Sequence, residues 1–263
     1  MKTSRIKTRL SANQPALVTS LQYSDPALYE LVSMLGFDGI WIDLEHHHRS
    51  LETAAQLMRA ARIGTSDIIA RPAKGEFLRM SRMLEAGAQG ILYPRCDDAK
   101  EAAEVVRWSK FAPLGDRGFD GSHPDVPFAS LAVPDYLKQA NEQTLLVVQI
   151  ESPEALAQAE KIAAVNGVDV LMLGPADFCI ASGIPGQWDH PVIDDAVQRL
   201  ADAARRAGKH WGSPTRSVEH TQQLLDLGAR FICHNSDFQI IKEGFEQLRK
   251  SFETLGFEFQ NRL

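Results

Sequence analysis

Four phrases of this chain share one local design: "MLGFDGIWI" (34–42), "EAGAQGILY" (85–93), "VNGVDVLML" (165–173) and "DLGARFICH" (226–234). In each, a stretch of helical period ends at a glycine suited to the left-handed position after a helix, and an apolar run of strand length follows at once. Spacing between the phrases is irregular, which describes β/α units in one globular fold rather than a solenoid. Extending the pattern gives eight predicted strands, Ala16–Leu21, Gly39–Asp43, Asp67–Ala70, Gly90–Pro94, Thr144–Ile150, Val168–Leu173, Lys209–Ser213 and Arg230–His234. The helical periods between and after them are Pro26–Leu35, Leu51–Arg62, Glu76–Glu85, Ala99–Ser109, Pro153–Val165, Pro191–Ala207, Val218–Leu227 and Phe238–Thr254.

Eight β/α units in 263 residues predict a single-domain α/β fold over 1–263, a closed (β/α)8 TIM barrel. An open doubly wound sheet is the alternative, but its G-x-G-x-x-G turn is missing from the first β/α connection. One long insertion, Phe111 to Pro134, is rich in Gly, Pro and Asp and reads as a loop of functional length.

Bulk chemistry excludes several function classes. The formal net charge is −6 with basic residues scattered, so nucleic acid is not an expected partner. The opening apolar run "PALV" is too short for a signal-peptide core and no stretch approaches a membrane span, so a cytoplasmic protein is expected. Cys96, Cys179 and Cys233 form no C-x-x-C pair and read as core thiols rather than a disulfide or zinc framework.

Barrel sites are built at the carboxyl ends of the strands, and there the unusual residues collect. Strand two runs into "DLEHHHRS", presenting Asp43, Glu45 and His46. Strand three ends in Arg71, four in Arg95, five in Gln149 and Glu151, six in "GPAD" with Asp177, and eight in His234 and Asn235. Any one of these is easily a helix cap or a salt-bridge partner. Their convergence from six strands points instead to a ligand that compensates the charge. Glu151 and Asp177, from adjacent strands, are the expected ligands of a divalent cation; an all-oxygen pair suits magnesium or manganese, with cobalt also admissible, better than zinc. The Arg71 fork, presented by the following Pro72, suits a carboxylate or enolate oxygen. Neighbouring histidines on an extended chain point apart, so "HHH" is not a metal site; His46 is expected to be catalytic, with Asp43 its partner if the chain turns after Leu44. "PLGDRGFDG" is either an anion-binding loop or a surface turn.

Taken in order, "GFDGIWIDLEH", "ARP", "LEAGAQGILYPR", "PLGDRGF", "VVQIES" and "GVDVLMLGPADF" resemble the HpcH/HpaI aldolase family of metal-dependent class II pyruvate aldolases over nearly the whole chain. The resemblance implies a (β/α)8 barrel with a domain-swapped last helix, assembled into homohexamers as trimers of dimers. It implies that Glu151 and Asp177 hold the metal, that Gln149 and Arg71 hold a 2-oxoacid, and that the backbone of Gly174, Pro175 and Ala176 receives its carboxylate. It further implies acid–base work by His46 with Asp43, a bound water at Glu45, and Arg117 on a loop brought to the site by neighbouring subunits. The substrates implied are a pyruvate-type ketoacid and an aldehyde. "EHHHRS" and the insertion after "RG" depart from the family pattern where the aldehyde is expected to bind. A citrate-lyase-type or malyl-CoA-type lyase would use the same metal pair, and a silent binding barrel has no reason to retain these opposed charges. A Schiff-base aldolase lacks a well-placed lysine, since Lys209 begins a strand and Lys74 lies in a loop.

Overall fold

The computed structural model describes residues 2–260 and 262. Eight parallel strands close in chain order: β1 (Ala16–Leu21), β2 (Gly39–Asp43), β3 (Asp67–Arg71), β4 (Gly90–Tyr93), β5 (Leu145–Ile150), β6 (Val170–Leu173), β7 (His210–Thr215) and β8 (Phe231–Ser236). Pairing of β1 with β8, Ala16 opposite Phe231, closes the cylinder and rules out the open sheet. All eight expected strands are present; β7 and β8 each run two residues further than the apolar pattern, through Pro214 and through Asn235 and Ser236.

Around the barrel lie α2 (Pro26–Met34), α3 (Leu51–Ala61), α4 (Phe77–Ala86), α5 (Ala99–Ser109), α7 (Pro153–Ala157), α8 (Ala159–Ala163), α10 (Pro191–Arg206) and α11 (Val218–Asp226). The expected helix Pro153–Val165 is thus two short ones, broken at Gln158 without a proline or glycine to account for it. Their apolar faces pack on the outer face of the sheet in one large core. A second core fills the lumen, where Val18, Ile69, Leu92, Val147, Met172 and Phe231 meet.

The lumen is plugged at its amino end by a helix the periodicity did not predict, α1 (Arg5–Ser11). Its Ile6 and Leu10 join the inner core, and Gly39 leaves the room, since a Cβ there would lie 2.7 Å from Ile6 Cδ1. Asp67, the buried first residue of β3, fixes the helix start by accepting from Ser4 Oγ at 2.7 Å and from Ile6 N at 2.9 Å.

The insertion lies at the same amino end, because α5 leads away from the carboxyl-end rim and β5 begins there. It leads into the unanticipated α6 (Val133–Gln143), whose Tyr136 and Ala140 pack with Phe111 and Val126 in a satellite core. Lys110 ties this unit down, its Nζ donating to Asn141 O at 2.7 Å and Thr144 O at 2.6 Å. Burial, aided by the charges of Lys7 and Arg117, lowers the Lys110 pKa to about 7. A folded-state pKa below the unfolded value of 10.5 means the unfolded chain binds more protons between the two. Lys110's contribution is therefore present above pH 10.5 and is lost as pH falls towards 7. Thermal unfolding of wild type and Lys110→Met at pH 6.5 and pH 9 checks this: the wild type gains more stability with rising pH than the variant, and parallel curves would refute it.

The last helix, α12 (Asp237–Glu253), is anchored through one buried residue. Asp237 accepts from Gln22 N and Tyr23 N at 2.7 and 2.9 Å. Beyond it Phe238, Ile241, Phe245, Leu248 and Phe252 make a stripe at helical spacing, all exposed. Leu31, Met34 and Leu35 at the end of α2 are likewise exposed. Among the described residues no helix is long and apolar enough to cross a membrane.

Candidate active site

Register brings the site together. Asp43 and Arg71 end adjacent strands as direct partners, and their side chains form a two-point ion pair, Nε to Oδ1 at 2.9 Å and Nη2 to Oδ2 at 2.6 Å. The guanidinium also lies 4.5 Å over the Trp41 ring, 3.3 Å from Glu45 Oε2 and 3.4 Å from Gln149 Oε1. Burial opposes ionisation of both partners. For Asp43 the hydrogen bonds and charge of Arg71 outweigh it and hold the carboxyl below its ordinary range, while Asp43 and Glu45 raise Arg71.

Glu151, just past β5, is buried. It accepts from Arg95 N at 2.8 Å and Gln149 Nε2 at 3.1 Å. These bonds do not balance its environment: burial first, then the neighbouring charges of Asp177 and Glu45, push its pKa up to about 7. Gly174 makes space for it, since a Cβ would lie 2.1 Å from Glu151 Oε1. Asp177 sits in the first turn of α9 (Pro175–Ala181) and does not cap it; among the described residues it makes no hydrogen bond or ion pair. Glu45 is held by Arg95 Nη2 at 2.6 Å.

Four carboxylates, Asp43, Glu45, Glu151 and Asp177, therefore face two guanidinium groups, Arg71 and Arg95. The excess of negative charge and the raised Glu151 pKa fit a divalent cation at Glu151 and Asp177. No group of three or more His, Cys, Asp or Glu able to hold a metal occurs among the described residues; a cation at this rim would have Glu151 and Asp177 as its protein ligands. They line a cavity of ≈ 870 Å3 together with Arg71, Gln149 and Gly174 to Ala176. A second cavity of ≈ 430 Å3 adjoins it across Trp41, His46 and Arg71.

Residues 18–242 match the model of the HpcH/HpaI aldolase/citrate lyase family. The chain belongs to that family. It is 32% identical to a hydroxypyruvate/pyruvate aldolase of Delftia acidovorans, over 90% of this chain and 88% of the relative. It is also 32% identical to a 4-hydroxy-2-oxo-heptane-1,7-dioate aldolase of Shigella sonnei, over 94% of each. The crystal structure of a family protein from Burkholderia cenocepacia superposes with a TM-score of 0.89 at 29% identity, covering 95% of this chain and all of that one.

Nine of the ten site residues expected from sequence gather at this family barrel's mouth; two details of their roles are corrected. Asp43 does not support the His46 side chain. Asp43 Oδ1 accepts from Glu45 N at 2.9 Å, which turns the chain so that His46, largely exposed, lies 3.6 Å from Glu45 Oε2. The half-buried His47 comes back instead, its Nε2 3.7 Å from Asp43 Oδ2. Of the three backbone groups expected to bind carboxylate, Gly174 N already donates to Ile150 O at 3.0 Å and Pro175 has no N–H, leaving Ala176 N.

The tenth, Arg117, does not line its own chain's site. Its guanidinium is buried at the opposite end of the barrel, over the Phe111 ring and beside Asp125 and Tyr136 Oη, because the insertion builds a core of its own. Sequence reasoning missed Trp41, although it shares strand parity with Asp43 and so faces the lumen. Arg49 was also missed as a structural residue. Buried, it donates to the Leu21 and Gln22 carbonyls and to Tyr29 Oη, pinning the histidine loop to β1.

Proposed function

We propose that this chain is a metal-dependent aldolase that makes or cleaves 4-hydroxy-2-oxoacids by joining a pyruvate-type ketoacid to an aldehyde. What carries the reading is the juxtaposition of the Arg71–Asp43 pair and Gln149 with two under-compensated carboxylates at one cavity. Glu151 and Asp177 would hold magnesium or manganese, which supplies Lewis acidity towards charge developing on the ketoacid oxygen. Arg71, fixed by Asp43 and stacked on Trp41, directs its remaining donor at that oxygen. Gln149 orients the ketoacid, and Ala176 N–H serves its carboxylate. His46 at the open mouth takes and returns the proton at the aldehyde-derived oxygen. Lys74, which lines a neighbouring cavity of ≈ 340 Å3 with Glu151 and Asp177, is paired with Asp97 and Glu101 and so kept charged, which supports an enolate route over a Schiff base.

The apolar stripe of α12 and the exposed end of α2 support a homo-oligomer in which α12 packs on a neighbouring copy, as in a hexamer built from dimers. The three cysteines are free and buried, which suits a reducing cytoplasm.

The deciding experiment follows loss of the pyruvate methyl proton signal in D2O by NMR, with added Mg2+ or Mn2+ and again after chelation. Metal-dependent exchange is expected. Exchange that survives chelation, or an adduct trapped by borohydride, would overturn the reading.

A further inference from the structure

The helix ring is not continuous. α2 packs on α3, α3 on α4, α4 on α5, α5 on α8 and α8 on α10, whereas α11 leans on β7 beneath it and packs little against α10. Between those two a groove opens, walled by Ile193 and Val197 of α10 and by Leu224 and Leu227 at α11, with Trp188 from the segment before α10. All five line the cavity of ≈ 870 Å3 that also contains Glu151 and Asp177. The groove is thus continuous with the site rather than a separate hollow. An ion pair, Arg216 Nη2 to Asp189 Oδ1 at 2.7 Å, links the two loops that border it.

The cavity is at the large end for small-molecule sites, ~300–1,000 Å3, far more than a three-carbon ketoacid and a small aldehyde fill. Its companion across Trp41 is lined by Ser20, Gln22, Asn235 and Ser236. Trp41, whose Nε1 is buried with no hydrogen-bond partner among the described residues, stands where a polar arm and an apolar arm meet. The buried residues of the groove, Ile193, Val197 and Leu224, are apolar, while the exposed Asp194, Gln198 and Gln223 edge it; buried apolar walls favour a chain that removes their surface from water.

We propose that the α10–α11 groove is the acceptor subsite for aldehydes bearing an aromatic or long aliphatic substituent. The inference rests on the aldolase reading and adds the substrate class. The reaction is balanced without redox: a pyruvate methyl C–H gives its proton to a base, that carbon bonds to the aldehyde carbon, and the aldehyde oxygen takes a proton.

The test is condensation kinetics with pyruvate and Mn2+, phenylacetaldehyde against glycolaldehyde, in the wild type, in Leu227→Glu and in Gln198→Trp. Both altered positions are solvent-exposed, and the kcat/KM ratio of the two aldehydes is independent of the fraction of folded enzyme. The wild type is expected to favour phenylacetaldehyde at least tenfold, and each variant to lower the ratio tenfold or more. A wild-type preference for glycolaldehyde, or a ratio unmoved in both variants, overturns the proposal. So does a Leu227→Glu variant whose assembly mass falls while the ratio stays constant, since that would give the groove to a neighbouring copy. Pyruvate proton exchange in the wild type separates the two levels. Its failure removes the aldolase reading and the groove with it, while intact exchange without apolar preference removes the groove alone.

Discussion

Arg71→Ala is expected to lower kcat/KM for cleavage of a 4-hydroxy-2-oxoacid by about a thousandfold, the upper range for removing one preorganised donor. The same change strands Asp43, a buried carboxylate whose low pKa depends on Arg71. Breaking a buried pair on one side typically costs ~3–5 kcal/mol, so a fall in stability accompanies the fall in activity. A double variant separates them. Arg71→Ala with Asp43→Ala removes the charge stranded at Asp43, although Glu45 still loses its neighbour Arg71, so it recovers part of the lost stability in urea unfolding, yet remains inactive. Arg71→Lys keeps the charge but cannot span both Asp43 oxygens and lie flat on Trp41, so it falls between. Cleavage by Arg71→Ala within tenfold of wild type would place the ketoacid elsewhere.

That pair was only half legible in the sequence. Strand ends are readable because a buried parallel strand is a run of apolar residues between a glycine and a polar break, and this fixed Asp43 and Arg71 at the rim. Their mutual contact is a matter of register, which depends on how the barrel staggers its strands. The histidines show a further limit. Alternation along β2 stops at Asp43, whose carboxylate caps Glu45 N, and past that turn strand parity no longer assigns sides; hence His47 rather than His46 approaches Asp43. β7 and β8 were read short because the residues that extend them, Pro214 and Thr215 in one and Asn235 and Ser236 in the other, are a proline and polar groups that end an apolar run. α1 and α6 were missed for another reason: α1 is brief, and both carry only two buried apolar anchors, Ile6 and Leu10 or Tyr136 and Ala140, too few to raise a periodic signal above their polar neighbours. The surroundings of Arg117 within its own chain were not legible either, because Phe111, Val126 and Tyr136, which pack in the satellite core beside it, are far enough apart in sequence to look unrelated.

Glu151→Gln is expected to abolish condensation and pyruvate exchange, a loss of about a thousandfold or more where several kcal/mol of charge stabilisation at the developing enolate disappear. Loss of activity alone would not separate metal binding from other roles, but stability does. Without a cation, burial and the charges of Asp177 and Glu45 push the Glu151 pKa up to about 7 from an ordinary 4.5. A raised folded-state pKa means its stabilising contribution is whole below pH 4.5 and is lost as pH rises through 7. Glutamine never ionises, so in chelator at pH 8 the variant should melt at or above the wild type despite being inactive. Metal should reverse the order. At a hundredfold excess over Kd, a ligand that binds only the folded state adds ~2.7 kcal/mol, which raises the wild-type melting temperature by several degrees. Glu151→Gln, left with Asp177 alone, should show little of that rise. Equal Mn2+-induced shifts in the two proteins would mean that the cation binds somewhere other than between Glu151 and Asp177, and the excess charge at this rim would then need another counter-ion.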